Sequence, residues 1–185
     1  MRTFFCIPLE HDVREGIASV AASLRSKTSC RCSWVRPQNY HVTVRFLGEI
    51  DPMLTVDLEA LAMDVSSHYE PFELPFDRVG AFPSADRARV VWIGGDTPSA
   101  FADLVGELNT GLTELGFERE RKRPVSHVTV ARVKSRPDEG LVQAVTQVRP
   151  EAPLVCRADR IVLMSSDLAP GGAVYTPLFE RTIGG

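Results

Sequence analysis

The tetrapeptide His-Val-Thr-Val occurs twice in this 185-residue chain, beginning at His41 and at His127. The chain has only four histidines, so a chance match at three following positions is expected in roughly a few chains per thousand. Imidazole is the side chain best suited to proton transfer near neutral pH. Two imidazoles on opposite sides of a phosphodiester could divide the work, one taking a proton from water and the other donating a proton to the leaving oxygen.

Both copies of the motif are predicted to lie on β-strands, in which successive side chains point to opposite faces. Alternation places His41, Thr43 and Arg45 on one face, and His127 and Thr129 on the equivalent face, with the intervening valines facing a core. Threonine hydroxyls and an arginine guanidinium can hold phosphate oxygens. We therefore predict that both threonines and Arg45 bind phosphate beside the histidines. The set requires no metal, and it lacks a third zinc ligand at a characteristic spacing.

Cations and aromatic side chains near the motifs could contact the rest of an RNA substrate. Lys122 and Arg123 precede the second motif and could border the cleft and contact phosphates. The alternative is a solvated loop, because glutamates interleave this charged run. Phe82 and Tyr40 could stack on a base, with core packing as the alternative.

Hydrophobic periodicity and turn signals predict alternating helices and strands. We predict strands over 3–9, 40–47, 72–82, 88–94, 127–133, 155–164 and 174–180, and helices over 11–26, 54–66, 99–115 and 137–148. The 86-residue offset between the histidines also moves strand 3–9 onto 89–95, strand 72–79 onto 158–165, and the strand from 88 onto 174. This indicates an α+β fold in which a duplicated unit forms two pseudo-symmetric lobes. Antiparallel sheets would line a central cleft with helices outside, in one bilobal domain spanning residues 1–185.

Composition limits the classes of function. Hydrophobic residues make up 44% and charged residues 24%, which are ordinary values for a globular protein. The net charge of −3 argues against bulk electrostatic binding of nucleic acid, so a polyanion must be held locally. The four cysteines include no C-x-x-C pair and are expected to be reduced and structural. The chain lacks a stretch as long as a membrane span and lacks a signal-peptide pattern, so we expect a cytoplasmic protein. We also expect a monomer that uses no cofactor.

Residues 34–49, which read WVRPQNYHVTVRFLGE, closely resemble the first motif region of bacterial and archaeal RNA 2′,3′-cyclic phosphodiesterases. This family, whose members are also called 2′-5′ RNA ligases, belongs to the two-histidine phosphoesterase superfamily. Residues 126–132, SHVTVAR, resemble the second motif. Weaker similarities extend over essentially the whole chain. The family usually has a proline directly before the second histidine, where this chain has Ser126.

The resemblance implies hydrolysis of RNA or nucleoside 2′,3′-cyclic phosphate ends to 2′-phosphates, with His41 as proton donor and His127 as proton acceptor. It implies a weaker 2′-5′ RNA ligase activity as well. The family pattern adds Arg132 as a phosphate ligand, although strict alternation points Arg132 away from the His127 face unless the strand twists or bulges. The alternatives are a phosphodiesterase for another cyclic or 2′-5′ linked nucleotide, and a non-catalytic module that binds RNA or nucleotide.

Overall fold

Helices and strands alternate along the chain in the computed structural model, which describes residues 1–170 and 172–185. In these ranges the α-helices are α1 His11–Ser26, α2 Thr55–Ser67, α3 Ser99–Glu114 and α4 Glu139–Gln147. The strands are β1 Arg2–Pro8, β2 Cys32–Trp34, β3 His41–Glu49, β4 Phe72–Phe76, β5 Arg78–Phe82, β6 Val90–Gly94, β7 His127–Val133, β8 Leu154–Ala158, β9 Arg160–Ala169 and β10 Gly172–Thr182. Among the described residues, no helix is long and apolar enough to cross a membrane.

Most predicted elements are confirmed within a few residues, and α1 and β7 have the predicted bounds. Two long predicted strands are wrong, because each is a pair of strands that belong to different sheets. The predicted strand 72–82 divides at Asp77 into β4 and β5, and the predicted strand 155–164 divides at Asp159 into β8 and β9. β4 and β8 pair with each other in a small separate sheet, whereas β5 and β9 join the main sheet. The three-residue strand β2 was not predicted.

The main sheet has the strand order β10-β9-β1-β3-β7-β6-β5, and β2 also pairs with β7. Its pairings are antiparallel. The order is symmetric about the β3–β7 contact, with β9-β1-β3 on one side matching β5-β6-β7 on the other. Two lobes from a duplicated unit are therefore confirmed. The two halves also exchange a strand. β5 comes from the first half of the chain and lies in the second lobe, whereas β9 comes from the second half and lies in the first lobe.

This strand order corrects two details of the predicted repeat. β1 corresponds to β6 and β3 to β7 at the predicted offset of 86, but β4 and β5 correspond to β8 and β9 at an offset of 82. The strand from 88 does not repeat at 174. It is the counterpart of β1, whereas β10 lies outside the repeat as an added edge strand beside β9. The offset changes because the connections around α2 and α4 differ in length between the two halves.

The valines of the two motifs form part of the core, as alternation predicts. Val42, Val44, Val128 and Val130 are buried in one hydrophobic cluster that includes residues of all four helices. Burial of such side chains is the main favourable contribution to folding. The core therefore fixes one face of each histidine strand and leaves the other face to the cleft.

Candidate active site

The two histidine strands are neighbours at the centre of the main sheet. Val42 of β3 pairs with Val128 of β7, and both valines are fully buried. In an antiparallel pair this register places each histidine opposite the threonine of the other motif. Among the described residues, no further pairing joins β3 to β7, so the strands diverge from this point and a cleft opens between the lobes.

Each histidine strand contains a β-bulge at the residue after its threonine. On β3, Val44 has no partner, because the residues on either side of it pair with consecutive residues of β1. On β7, Val130 is left out of the pairing with β6 in the same way. The two bulges occupy equivalent positions in the repeat. A bulge shifts the alternation of side chains by one residue, so the two positions that follow each bulge residue change face.

The bulge on β7 resolves the orientation of Arg132. Val130 and Ala131 are both buried, and Arg132, which follows them, is exposed and lines the cleft. The expectation that the strand must twist or bulge for Arg132 to reach the histidine face is thus confirmed. The equivalent residue of β3 is Phe46, which is 55% exposed and also lines the cleft. The two lobes therefore present a cation and an aromatic ring at matching positions.

The same shift makes the predicted face of Arg45 wrong. Its side chain is only 12% exposed, and it donates a hydrogen bond of 3.0 Å to the Glu120 carboxylate and a second one to the Glu118 carbonyl. Arg45 borders the cavity, but its guanidinium ties β3 to the loop that follows α3. This pairing replaces the predicted role as a phosphate ligand on the His41 face.

Each imidazole is held by the backbone carbonyl of the residue two positions before it. Nδ1 of His41 lies 2.8 Å from the carbonyl oxygen of Asn39, and Nδ1 of His127 lies 2.7 Å from that of Val125. A carbonyl oxygen can only accept, so Nδ1 carries the proton in each ring. Each Nε2 is therefore left with a lone pair, which can accept a proton and later return it.

Aromatic rings surround each imidazole. Phe4 stacks on His41 with ring centroids 4.8 Å apart, and Tyr175 meets the same ring edge-on at 5.4 Å. Phe82 meets His127 edge-on at 5.1 Å, and Trp92 approaches at 6.0 Å. These rings remove water from the imidazoles and restrict their rotation.

Burial lowers the pKa of both histidines. The pKa of His41 falls to about 4, because its ring is desolvated and because His127 and Arg132 add positive charge nearby, while the hydrogen bond to Asn39 opposes the shift. Desolvation also lowers the pKa of His127, against the effect of the Val125 carbonyl. Both rings are therefore neutral near pH 7 in the free protein, and an anion bound between them would favour protonation.

The cleft is a cavity of about 560 Å³, a size that suits a small-molecule ligand. It brings together most of the residues predicted from the sequence. Its walls include His41, Thr43, Arg45, Phe82, Lys122, Arg123, His127, Thr129 and Arg132. Phe46, Asn39 and Tyr175 line it as well. The polarity pattern missed Phe46, because only the bulge turns it toward the histidines.

Two residues near the motifs have structural roles. Tyr40 is 6% exposed and packs in the core, so its predicted contact with a base is wrong; alternation carries it away from the His41 face. Ser126 is fully buried, and its backbone N–H donates to Thr97 Oγ1 at 3.1 Å. This hydrogen bond, which proline could not make, anchors the residue before His127 to the segment that precedes α3.

Comparison with known proteins identifies the same two halves. The model of the LigT-like phosphoesterase family matches residues 7–92 and 95–175. RNA 2′,3′-cyclic phosphodiesterase of Methanothermobacter thermautotrophicus is 30% identical over 179 residues, 96% of each chain. The enzyme of that name from Thermotoga maritima is 31% identical over 183 residues, 97% of this chain and 94% of the relative.

Solved structures have the same fold. A Thermus thermophilus protein superposes with a TM-score of 0.82 at 26% identity, covering 100% of this chain and 99% of the other. Escherichia coli LigT, solved in complex with 3′-AMP, gives a TM-score of 0.79 at 25% identity and covers 98% and 97% of the two chains. The family match covers both halves of the chain, and the relatives match it over nearly full length. This chain therefore belongs to the LigT-like phosphoesterase family.

Proposed function

We propose that this protein hydrolyses 2′,3′-cyclic phosphate ends of RNA or nucleosides to 2′-phosphates, by general acid–base catalysis with His41 and His127 and without a metal ion. The observation that supports this most directly is the matched pair of imidazoles. In each ring, Nδ1 donates a hydrogen bond to the carbonyl of the residue two positions earlier, so that Nε2 is available for proton transfer, and both rings line the same cavity. The names of the relatives and the LigT complex with 3′-AMP agree with a nucleotide in this cleft.

The reaction needs one base and one acid. Nε2 of His127 accepts a proton from water, whose oxygen forms a bond to phosphorus. The bond from phosphorus to the 3′ oxygen breaks, and His41 donates a proton from Nε2 to that oxygen, which leaves as a hydroxyl. The product is a 2′-phosphate, and proton exchange with solvent returns both imidazoles to their starting states.

The surroundings of the two rings support this division of roles. Besides desolvation, positive charge on His127 and Arg132 lowers the pKa of His41. The pKa of His127 is lowered by desolvation without such a contribution from neighbouring charges. A group with a lower pKa is a stronger acid once it is protonated. An anionic phosphodiester between the rings would supply the favourable charge that lets His41 take up its proton. His41 thus suits donation to the leaving oxygen, and His127 suits activation of water.

The remaining polar groups suit the phosphate and its neighbours. The hydroxyls of Thr43 and Thr129 lie on the histidine face and would donate to the non-bridging oxygens, and Arg132 would neutralise charge. Lys122 and Arg123 border the same cavity and would contact the RNA nucleotide that carries the reacting group. Phe82, at the edge of His127, would pack against a base.

The test is turnover of cytidine 2′,3′-cyclic phosphate in excess EDTA, followed by phosphorus NMR. We expect a 2′-phosphate product. His41→Ala and His127→Ala should each lower kcat by at least about two orders of magnitude, as the loss of a general acid or base does. His11→Ala is the matched control, because His11 is exposed at the start of α1 and does not line the cavity.

Three outcomes would refute the proposal: no turnover, turnover that requires added metal, or a 3′-phosphate product. Parallel incubations with 2′-5′ linked oligonucleotides and with other cyclic phosphates compare the alternative substrates. An RNA bearing a 5′-hydroxyl, added to the cyclic-phosphate RNA, measures ligation. Nucleotide binding without any turnover would indicate a non-catalytic module instead.

A further inference from the structure

A row of cations leads out of the cleft along β7. The bulge at Val130 brings Arg132 to the cleft face. Lys134 comes directly after β7, and its backbone N–H still donates to the Arg31 carbonyl, so the strand geometry continues and Lys134 shares the face of Arg132. Val133 between them is buried, whereas Arg132 and Lys134 are both exposed. Side chains two apart on a strand are separated by about 6.8 Å along it, which is comparable to the spacing of successive phosphates in a single strand of RNA.

The residue before β2 adds a third cation to this row. Ser33 pairs with Arg132 and Cys32 with Val133, and one position further out Arg31 lies beside Lys134. The backbone N–H of Lys134 donates to the Arg31 carbonyl at 2.8 Å, and the Arg31 guanidinium lies 3.5 Å from the Lys134 carbonyl. Arg31 is exposed. We call Arg132, Lys134 and Arg31 the exit track.

The charges of the exit track are not neutralised by the protein. In the part of the chain that the structure describes, none of the three cations forms an ion pair. The nearby carboxylate of Asp138 accepts hydrogen bonds from Thr28 and Ser29 and forms no ion pair with any of the three cations in the described part of the chain. With a net charge of −3, this row is a local positive region on a protein whose overall charge repels RNA.

The other side of the cleft differs in this respect. The loop that contains Lys122 and Arg123 carries charges of both signs, because residues 118–123 include four cations and two carboxylates, and Glu120 forms an ion pair with Arg45 at 3.0 Å. The carboxylates reduce the positive charge that this loop can offer to phosphates. The exit track offers three cations without an ion-pair partner among the described residues, and it begins at Arg132, which already lines the cavity.

We propose that the exit track binds the backbone phosphates of the nucleotides that precede the cyclic end, so that the protein binds oligoribonucleotides more tightly than mononucleotides. The proposal rests on the proposed function for the position of the reacting end in the cleft. Arg132 serves the reacting phosphate, and Lys134 with Arg31 serve the phosphates upstream. The chain of the RNA would thus leave the cleft across β7 and β2.

The experiment measures binding and turnover separately. The Kd of a 5′-labelled hexaribonucleotide with a 3′-phosphate is determined by fluorescence anisotropy over a range of salt concentrations. The double variant Arg31→Gln with Lys134→Gln is compared with the wild type. The matched control is Arg25→Gln with Arg157→Gln, which removes two exposed charges that lie outside the cavity. A second comparison, Lys122→Gln with Arg123→Gln, tests the loop as the exit.

We expect the exit-track variant to weaken binding of the hexanucleotide by about tenfold at low salt and to reduce the salt slope of log Kd by about 1.4, since a single-strand phosphate contact contributes about 0.7. Its kcat/KM for cytidine 2′,3′-cyclic phosphate should stay at the wild-type value. The charge-matched control should bind the hexanucleotide like the wild type.

Unchanged hexanucleotide binding in the exit-track variant would overturn the proposal, as would an equal loss in the charge-matched control. A loss confined to the loop variant would assign the RNA path to Lys122 and Arg123 instead. Because anisotropy does not require turnover, these results stand even if the mononucleotide is not hydrolysed. Failure of the hydrolysis assay alone would refute the proposed function, and the binding measurement would still decide whether the exit track holds RNA.

Discussion

At the scale of single residues, His41 and His127 are followed by the same three residues but have different surroundings. His41 stacks on Phe4 and lies within the electrostatic influence of Arg132, whereas His127 meets the edges of Phe82 and Trp92. Environments that separate the proton affinities of two titratable groups are a common means of assigning an acid and a base. The difference between the two histidines therefore comes from their neighbours and not from their motifs.

The lowered pKa of His41 predicts the pH dependence of catalysis. If His41 must be protonated, kcat/KM, which reflects the free enzyme, should fall by about tenfold per pH unit between pH 6 and 8, because the pKa of about 4 lies well below this range. The pH profile of kcat should fall only at higher pH, because the bound phosphate raises that pKa. Steady-state kinetics on cytidine 2′,3′-cyclic phosphate test this. A kcat/KM that rises between pH 6 and 8 would contradict the role of His41.

Arg132 gives a second prediction at this scale. Arg132→Gln should lower kcat/KM by about tenfold to a hundredfold through loss of a charged hydrogen bond to phosphate. The same change removes one cause of the low His41 pKa, so the decline of kcat/KM with pH should begin at a higher pH. Arg136→Gln, an exposed cation outside the cavity, is the control. Loss of activity with an unshifted profile would mean that Arg132 does not influence His41.

At the scale of elements, the paired bulges and the cap of α4 determine where side chains point. The bulges at Val44 and Val130 turn Phe46 and Arg132 toward the cleft.

Asp138, which caps the start of α4, accepts hydrogen bonds from the Leu141 backbone N–H at 2.7 Å and from Thr28 Oγ1 at 2.7 Å. This carboxylate therefore connects the start of α4 to the loop that leads into β2, next to the histidine strand.

Asp138→Ala should lower the free energy of unfolding by about 1–2 kcal/mol at pH 7, the usual cost of losing a helix cap. Its hydrogen bonds hold the pKa of Asp138 well below the ordinary value, so its contribution is present above the unfolded pKa and is lost as the pH falls through the folded one. Urea unfolding at pH 7 and pH 3 should show a smaller difference at pH 3. The control is Asp167→Ala, at an exposed position near the end of β9, and an equal effect there would count against the cap.

At the scale of the whole molecule, the lobes are joined through the Val42–Val128 pair, through the exchange of β5 and β9, and through the contact of Arg45 with Glu120. The groups that we propose as acid and base come from both lobes. The proposed reaction therefore depends on the relative position of the lobes, because misplacement of reacting groups by about 1 Å can cost two orders of magnitude in rate.

Val128→Ala tests this dependence. The loss of two buried methyl groups should lower the free energy of unfolding by about 2 kcal/mol. It should also lower kcat by about tenfold under conditions in which the variant is fully folded, because the register that sets each histidine opposite a threonine is loosened. Val155→Ala on β8, where the side chain is 42% exposed, should affect neither quantity much. Loss of stability without loss of kcat would mean that the lobes are aligned by other contacts.

The sequence by itself determined the features that depend on local pattern. The repeated His-Val-Thr-Val indicated two equivalent strands, with the valines in a core and the histidines on the opposite face. Helix periodicity predicted α1 with its bounds, because Val13, Ile17, Val20 and Leu24 recur at the spacing of one helix face and are buried there. Because a repeated tetrapeptide of this kind rarely arises by chance, it also predicted that the fold is duplicated.

The tertiary structure alone decided which residues beyond the motifs share the cleft. The bulges depend on the register of β3 with β1 and of β7 with β6, which are non-local pairings that strict alternation cannot foresee. They moved Arg45 off the histidine face and brought Phe46 onto it. The division of strands at Asp77 and Asp159 likewise depends on which sheet each segment joins. The sequence thus identified the two histidines and their threonines, whereas long-range strand pairing decided the charges and rings that surround them.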